Sequence, residues 1–142
     1  MADIRTINED YAKIGQELID SEPELDYIKE SEATIVYLSS EQKKTHNGKT
    51  VFAQCEKVAE KYKWGIPCDF TITVFEPNCE DITPEQLRIL LFHELLHVGF
   101  GFDSSGNVTY HCRPHDLEDF KVIINRFGTD WISQDDGESF II

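Results

Sequence analysis

The sequence predicts an α+β fold, in which one compact domain packs a small sheet on a buried central helix and on a C-terminal helix. Two short segments, 33–38 and 69–75, are rich in β-branched and aromatic residues, which is typical of buried strands. Helix start and stop signals enclose an apolar run over 83–98, and apolar residues at helical spacing follow over 115–127. A chain of 142 residues is long enough to bury one such core.

The N-terminal part of the chain is acidic, since residues 1–32 carry ten acids and three bases. Its apolar residues predict a helix over Asn8–Leu18, which Pro23 interrupts before a second short segment, Leu25–Lys29. Residues Ser133–Ser139 are polar and acidic, so we expect a loose tail over 133–142. The predicted organisation is therefore an acidic N-terminal helical segment over 1–32, a compact domain over 33–132 and an acidic tail over 133–142.

The middle of the chain contains a turn signal and two further predicted elements. His46–Lys49 predicts a turn, because it contains Asn-Gly. Over Thr50–Trp64 apolar residues fall at helical spacing, which predicts a helix that ends at Gly65. The block 41–63 contains six lysines against three glutamates, and we interpret these lysines as a solvated helix face. Asp69–Phe75 then alternates between apolar and polar residues, as a strand does.

The central helix has well-marked ends. Thr83 is the expected N-cap, Pro84 the first helical residue, and Gln86 the residue that closes a capping box. Gly99 and Gly101 follow the apolar run and are expected to end the helix. Because the run is apolar on nearly every side, it indicates a helix buried in the core.

The segment after this helix predicts a loop, a strand and a last helix. Gly101–Asn107 has the composition of a loop, and Val108–Cys112 that of a short strand that ends before Pro114. Apolar residues at helical spacing predict a final helix over His115–Phe127, with Gly128 as its cap.

The last two turns of the central helix contain the motif His93-Glu94-Leu95-Leu96-His97, or H-E-x-x-H. Helix positions i and i+4 lie on one face, so both imidazoles can bind one cation, and neutral imidazole suits Zn²⁺. Glu94 would then lie beside the metal as the general base for a zinc-bound water. A metal accounts better for these buried polar side chains than two hydrogen-bonded core histidines would.

A catalytic zinc site usually takes three protein ligands, so a third is expected downstream of His97. We favour His115, which opens the last helix directly after Pro114. Asp119 lies four residues further on the same helix face and is a candidate acceptor for the second ring N–H of His115. The competing third ligands are Glu118, Asp116 and His111.

Stabilisation of the transition-state oxyanion would need a further donor near the metal. The candidates are Tyr110, His111 and Arg113, because they lie beside the segment that supplies the third ligand. Each of these three residues can equally be an ordinary surface or core residue without a role in catalysis.

Leu90–His97, followed about eighteen residues later by Pro114–Phe120, resembles the putative phage metallopeptidase family, which pairs an HELxH-type helix with a downstream H-D-x-x-x-F. The similarity covers about residues 33–128, and its weaker, compositional parts are Ile35–Tyr37, Ala53–Lys61, Phe70–Val74 and Ile82–Gln86. The resemblance implies a compact zincin-like domain, with His93, His97 and His115 as zinc ligands and Glu94 as base.

The charge and the composition of the chain indicate which binding partners and which cellular compartment to expect. The net charge of −14 makes nucleic acid and anionic membranes poor partners, and it favours a cationic protein or peptide as substrate. We see no secretory signal and no apolar stretch near the ~20 residues that a membrane span needs, so we expect a cytoplasmic protein. The four cysteines should then be reduced thiols.

These observations predict a zinc metallopeptidase that hydrolyses peptide bonds. The alternatives are a structural zinc site and a catalytically silent phage accessory or binding protein. The structural site would use Cys112 and His115, which have C-x-x-H spacing, closed by Cys68 or Cys79.

Overall fold

A computed structural model of the chain describes residues 4–114, 123, 126–127 and 140–141. The predicted α+β class is confirmed, because helices and strands alternate irregularly around one core. The helices are α1 (Glu9–Ser21), α2 (Asp26–Ser31) and α3 (Pro84–Leu95), with short 3₁₀ turns at Pro23–Leu25, Glu60–Tyr62 and Glu76–Asn78. The strands are β1 (Arg5–Ile7), β2 (Ile35–Ser40), β3 (Thr45–His46), β4 (Lys49–Val51), β5 (Ala53–Lys57), β6 (Phe70–Phe75), β7 (Val98–Phe102), β8 (Val108–Cys112) and β9 (Phe140–Ile141).

The main sheet has four strands in the order β1-β2-β6-β5. Its two central strands, β2 and β6, run parallel, and the outer strands β1 and β5 are antiparallel to their neighbours. Strand β6 is almost wholly buried, as its apolar sequence predicts for a central strand. Helix α1 packs on β2 and on α3, and α3 packs on β5, so the H-E-x-x-H motif lies directly beside the sheet.

The start of α3 matches the sequence prediction. The Thr83 hydroxyl accepts a hydrogen bond from the Gln86 backbone N–H, and the Gln86 side chain accepts one from the Thr83 N–H, which is a complete capping box. The helix ends earlier than predicted, at Leu95, because its last turn tightens: the His97 N–H bonds to the Glu94 carbonyl instead of continuing the α-helical pattern.

The helix predicted over Thr50–Trp64 is wrong. The segment forms β4, β5 and one 3₁₀ turn, and β5 pairs with β6 in the main sheet. Val51, Phe52 and Ala53 are all buried where the chain passes from β4 in one sheet to β5 in the main sheet. Val51, Phe52 and the buried Val58 imitate helical spacing, and the pairing of β5 with β6 decides the outcome. The lysines of this block therefore do not form a helix face.

The turn predicted at His46–Lys49 is confirmed as the connection between β3 and β4. Asn47 and Gly48 have φ angles of 52° and 75°, the left-handed conformations that a two-residue hairpin turn requires. The loop predicted over Gly101–Asn107 is shorter than expected, since β7 continues to Phe102 and forms a hairpin with β8.

The two ends of the chain make contacts with this framework. Strand β1 pairs with β2, and α1 contributes Leu18 and Ile19 to the core. The predicted boundary between an N-terminal segment and the compact domain at residue 32 stays a prediction. Of the predicted last helix only positions 123, 126 and 127 are described, and Ile123 is buried in the same core. Strand β9 pairs with β4, so two residues of the tail expected to be loose are held in a strand. Within the described ranges, no helix has the length and apolarity to cross a membrane.

Gly15 provides a direct test of how α1 packs on the sheet. A Cβ atom at this position would lie 2.2 Å from the hydroxyl oxygen of Tyr37, which is only 6% exposed. Replacing glycine by alanine inside a helix normally stabilises a protein by roughly 0.5–1 kcal/mol. Here we expect Gly15→Ala to destabilise the fold by about 1–3 kcal/mol, because the buried ring has to move.

Urea unfolding of the two proteins measures this difference. Gly65→Ala is the matched control, since a Cβ atom there meets no atom within 4 Å. Equal or greater stability of Gly15→Ala would contradict the packing of α1 on Tyr37.

Candidate metal centre

The C-terminal half of α3 carries polar side chains into the core. All residues from Ile89 to Leu95 are buried, and among them His93 is 0% and Glu94 1% exposed. Burial of a carboxylate costs several kcal/mol unless a cation or several donors compensate, so this arrangement needs a physical explanation.

Three side chains of the motif converge at this end of the helix. The ligand atoms of His93, Glu94 and His97 all lie within 4.8 Å of one another, which is close enough for one metal ion. The imidazole rings of the two histidines are 5.1 Å apart between centroids and inclined at 71°. The two imidazoles suit a borderline cation such as Zn²⁺, and the Glu94 carboxylate lies close beside them, so the residues present fit the expected metal.

His97 lies just beyond the end of α3, and strand β8 fixes its orientation. Its Nδ1 is 2.6 Å from the Arg113 carbonyl oxygen, and the Arg113 N–H donates to the His97 carbonyl. A carbonyl oxygen only accepts, so Nδ1 carries the proton and Nε2 carries the lone pair that a metal needs. A hydrogen bond of this kind is the usual way in which a protein orients a metal-binding histidine.

Tyr27 of α2 also contacts the end of α3. Its hydroxyl donates to the Leu95 carbonyl oxygen at 3.3 Å, and its ring stacks on Phe100. Burial raises the pKa of Tyr27 to about 12, although the nearby Arg113 charge lowers it slightly. The hydroxyl therefore keeps its proton and remains a donor. This contact holds the helix end at the point where the chain turns into β7.

A cavity of about 560 Å³ opens next to the motif. Glu94 and His97 line it, whereas His93 is completely buried. The rest of the lining comes from two parts of the chain, namely Lys44, His46, Val51, Ala53, Gln54 and Cys55 around β3 to β5, and Cys112, Arg113 and Pro114 at the end of β8 and just after it. A substrate in this cavity would therefore contact Glu94 directly.

Of the three candidate oxyanion donors, only Arg113 lines this cavity. The Tyr110 hydroxyl donates to the Ser31 carbonyl oxygen at 2.8 Å, and its ring packs edge-on against Phe70, so its contacts are structural. His111 is exposed and lies against Gly99, its neighbour across the β7–β8 hairpin. Tyr110 and His111 are therefore not brought together with the motif.

Three of the four candidates for the third ligand, His115, Asp116 and Glu118, lie outside the described residues. Asp119, the candidate acceptor for the His115 ring N–H, lies outside them as well, so these assignments stay predictions. The structure describes the chain up to Pro114, which lines the cavity and directly precedes His115.

Lys44, His46 and Gln54 also line the cavity, although the sequence did not point to them as residues of the site. The turn at 46–49 was recognised, but its position beside the motif depends on β5 pairing with β6, a contact between segments distant in the chain. The lysine-rich composition of 41–63 was the available signal, and it was assigned to a helix that does not form.

Two thiols, Cys55 and Cys112, also line the cavity. The Cys112 sulfur lies 3.5 Å from the Cys55 carbonyl oxygen. A hydrogen bond from the Cys55 thiol lowers the pKa of Cys112 to about 7, while the same contact and burial raise the pKa of Cys55. All four cysteines of the chain are free thiols.

Comparison with known proteins identifies the family of this chain. The family model of the putative phage metallopeptidases matches residues 5–138, a longer stretch than the resemblance recognised from the motifs. Searches of curated proteins and of solved structures each found no match. Since the family model spans nearly the whole chain, the protein belongs to the putative phage metallopeptidase family.

Proposed function

We propose that the protein is a zinc-dependent metallopeptidase that hydrolyses peptide bonds in the cavity beside α3. His93 and His97 would hold the metal, with His115 as third ligand and Asp119 as acceptor of the second His115 ring N–H. The observation that carries the proposal is the convergence of His93, Glu94 and His97 next to a cavity large enough for part of a peptide.

When bound, Zn²⁺ would supply a Lewis acid that lowers the pKa of water toward ~7 and polarises a carbonyl group. Glu94 lines the cavity and is the general base: it accepts a proton from the attacking water and delivers it to the leaving amine. The Arg113 carbonyl keeps His97 in the tautomer whose Nε2 can bind the metal. Arg113, which lines the same cavity, is the remaining candidate for stabilising negative charge on the substrate oxygen.

Strand β5 supports a peptide as the substrate. It forms the edge of the main sheet within the described part of the chain, and Ala53, Gln54 and Cys55 line the cavity. An extended peptide can add to such an edge at Ala53, before the point where the Cys112 sulfur contacts the Cys55 carbonyl oxygen, through backbone hydrogen bonds that recognise a chain without regard to its side chains.

A closed structural zinc site has less support. Cys68 is buried, and the Cys79 sulfur contacts the Phe52 carbonyl oxygen, so neither meets Cys112 in the described residues. Among those residues the group with metal-ligand spacing is His93, Glu94 and His97. A catalytically silent accessory protein would have the same geometry. Only a measurement of peptide cleavage distinguishes it from an active peptidase.

The first prediction concerns metal content. We expect about one Zn²⁺ per chain, and loss of the metal in His93→Ala and in His97→Ala, because each change removes one of three protein ligands. Elemental analysis by mass spectrometry after exhaustive dialysis measures the stoichiometry.

His111→Ala is the matched control, since His111 is an exposed histidine outside the cavity. Wild-type protein that retains no metal under these conditions would exclude the metalloenzyme. Retention in His115→Ala together with loss in Asp116→Ala or Glu118→Ala would reassign the third ligand and leave the proposed reaction intact.

The second prediction separates the base from the ligands. Glu94→Gln preserves the size of the side chain but removes its ability to accept a proton, so turnover should fall by at least ~10² while zinc content and thermal stability stay near wild type. Peptide cleavage, elemental analysis and thermal unfolding of the same preparation measure the three quantities.

Glu85→Gln is the control for the change of charge, because Glu85 lies in the exposed first turn of the same helix. Activity that survives Glu94→Gln would rule out Glu94 as the base. Loss of zinc together with activity would instead make Glu94 a ligand.

A further inference from the structure

Two thiols from different sheets meet at the wall of the cavity. Cys55 lies in β5, at one edge of the described main sheet, and Cys112 is the last residue of β8 in the separate β7–β8 hairpin. Strands β5 and β8 lie against each other, and the Cys112 sulfur is 3.5 Å from the Cys55 carbonyl oxygen. The two thiols also share a hydrogen bond, so their sulfurs are direct neighbours.

The pair combines an accessible thiol with a sheltered one. Cys112 is exposed, whereas Cys55 is half-buried. The hydrogen bond from the Cys55 thiol lowers the pKa of Cys112 to about 7, so much of Cys112 is thiolate at neutral pH. The same contact raises the pKa of Cys55, and burial and the Glu94 charge add to this effect. An oxidant therefore meets Cys112 first, with Cys55 next to it as the resolving thiol.

The other two cysteines provide an internal comparison. Cys68 is buried, and the Cys79 sulfur contacts the Phe52 carbonyl oxygen. Burial raises the pKa of both thiols, that of Cys79 to about 12. They should stay thiols under conditions that oxidise the pair, because a protonated and sheltered thiol reacts slowly.

We propose that Cys55 and Cys112 are a redox pair, which a peroxide oxidises to a disulfide across the wall of the cavity. The Cys112 thiolate attacks one peroxide oxygen, the O–O bond breaks, and Cys112 becomes a sulfenic acid while hydroxide leaves. The Cys55 thiol then loses its proton and attacks the Cys112 sulfur, and the S–O bond breaks as a second hydroxide leaves. Two electrons pass from the sulfurs to the peroxide, and both thiol protons end in water. In a reducing compartment such a bond is transient.

Closing this bond changes the cavity. A disulfide holds its two sulfurs at about 2.05 Å, closer than hydrogen-bonded thiols, so it draws the end of β8 toward β5. Arg113 directly follows Cys112, and its carbonyl oxygen orients His97. Both thiols line the same cavity as Glu94 and His97. Oxidation therefore lowers peptide cleavage, and reduction restores it. This consequence rests on the proposed function, whereas the disulfide itself does not.

Mass spectrometry tests the pair without depending on turnover. Reduced protein is treated with a few-fold excess of hydrogen peroxide at neutral pH, and the remaining thiols are alkylated after unfolding. We expect two of the four thiols to disappear, and digestion to yield one pair of peptides joined through Cys55 and Cys112 of the same chain. A phosphine reductant should restore all four thiols.

Single substitutions assign the two steps. Cys112→Ser should form no disulfide, and Cys55→Ser should leave Cys112 as a sulfenic acid that a dimedone reagent traps. Cys79→Ser is the matched control outside the cavity, and it should form the same disulfide as the wild type. Thermal unfolding shows that each variant is folded. Because Cys112 is exposed, Cys112→Ser tests the pair even if Cys55→Ser does not fold.

Cleavage assays test the consequence for the cavity. Turnover of the oxidised wild type should fall at least ~10-fold, because misplacing a catalytic group by about 1 Å can cost about 10²-fold. Reduction should restore it, and Cys112→Ser should keep its own rate through the same peroxide treatment. An unchanged rate in protein that carries the disulfide overturns the control of the cavity.

The remaining outcomes distinguish this inference from the proposed function. Four free thiols after peroxide, a disulfide that joins two chains, or oxidation of Cys112 without a bond to Cys55 overturns the redox pair and leaves the hydrolase intact. A reversible disulfide between Cys55 and Cys112, in a protein that cleaves no peptide in either state, would refute the hydrolase and keep the redox pair.

Discussion

The burial of His93 and Glu94 at the end of an apolar helix is the constraint on which the rest of the site depends. Such groups are stable in a core only when other groups compensate their polarity. The surrounding elements fix the end of the helix that carries them, because the Tyr27 hydroxyl holds the Leu95 carbonyl and the residue after β8, Arg113, brings its carbonyl to His97. The metal that we propose would contribute to the compensation, since its charge offsets that of the buried carboxylate.

Local sequence signals predicted the elements whose formation is decided locally. The capping box of Thr83 and Gln86 and the Asn47-Gly48 turn appear where the sequence placed them. Strands β2 and β6 were also predictable, because a run of β-branched and aromatic residues is buried in any plausible sheet. The motif itself required only helical spacing to bring His93 and His97 to one side of α3.

The other elements and the lining of the cavity depend on contacts between segments that are distant in the sequence. No local sequence pattern encodes these contacts. The sequence around β5 predicts a helix, because Val51, Phe52 and Val58 are spaced as in a helix, whereas the chain between them pairs with β6 as a strand. The same error hid Lys44 and His46, which reach the cavity only when β3 to β5 form strands. Tyr110 was a reasonable candidate by its distance along the sequence, but its hydroxyl contacts the Ser31 carbonyl. In each of these cases sequence proximity and spatial proximity differ.

Direct observation of the metal and its ligands is the most decisive measurement for the account as a whole. An anomalous-scattering crystal structure of the zinc-loaded protein should show Zn²⁺ at about 2.0–2.1 Å from a ring nitrogen of His93 and from Nε2 of His97, with Glu94 outside the first coordination shell. The third protein ligand should come from the segment that follows Pro114. Zinc held by cysteine thiolates, or by Glu94 as a direct ligand with no coordination position left for water, would contradict the account.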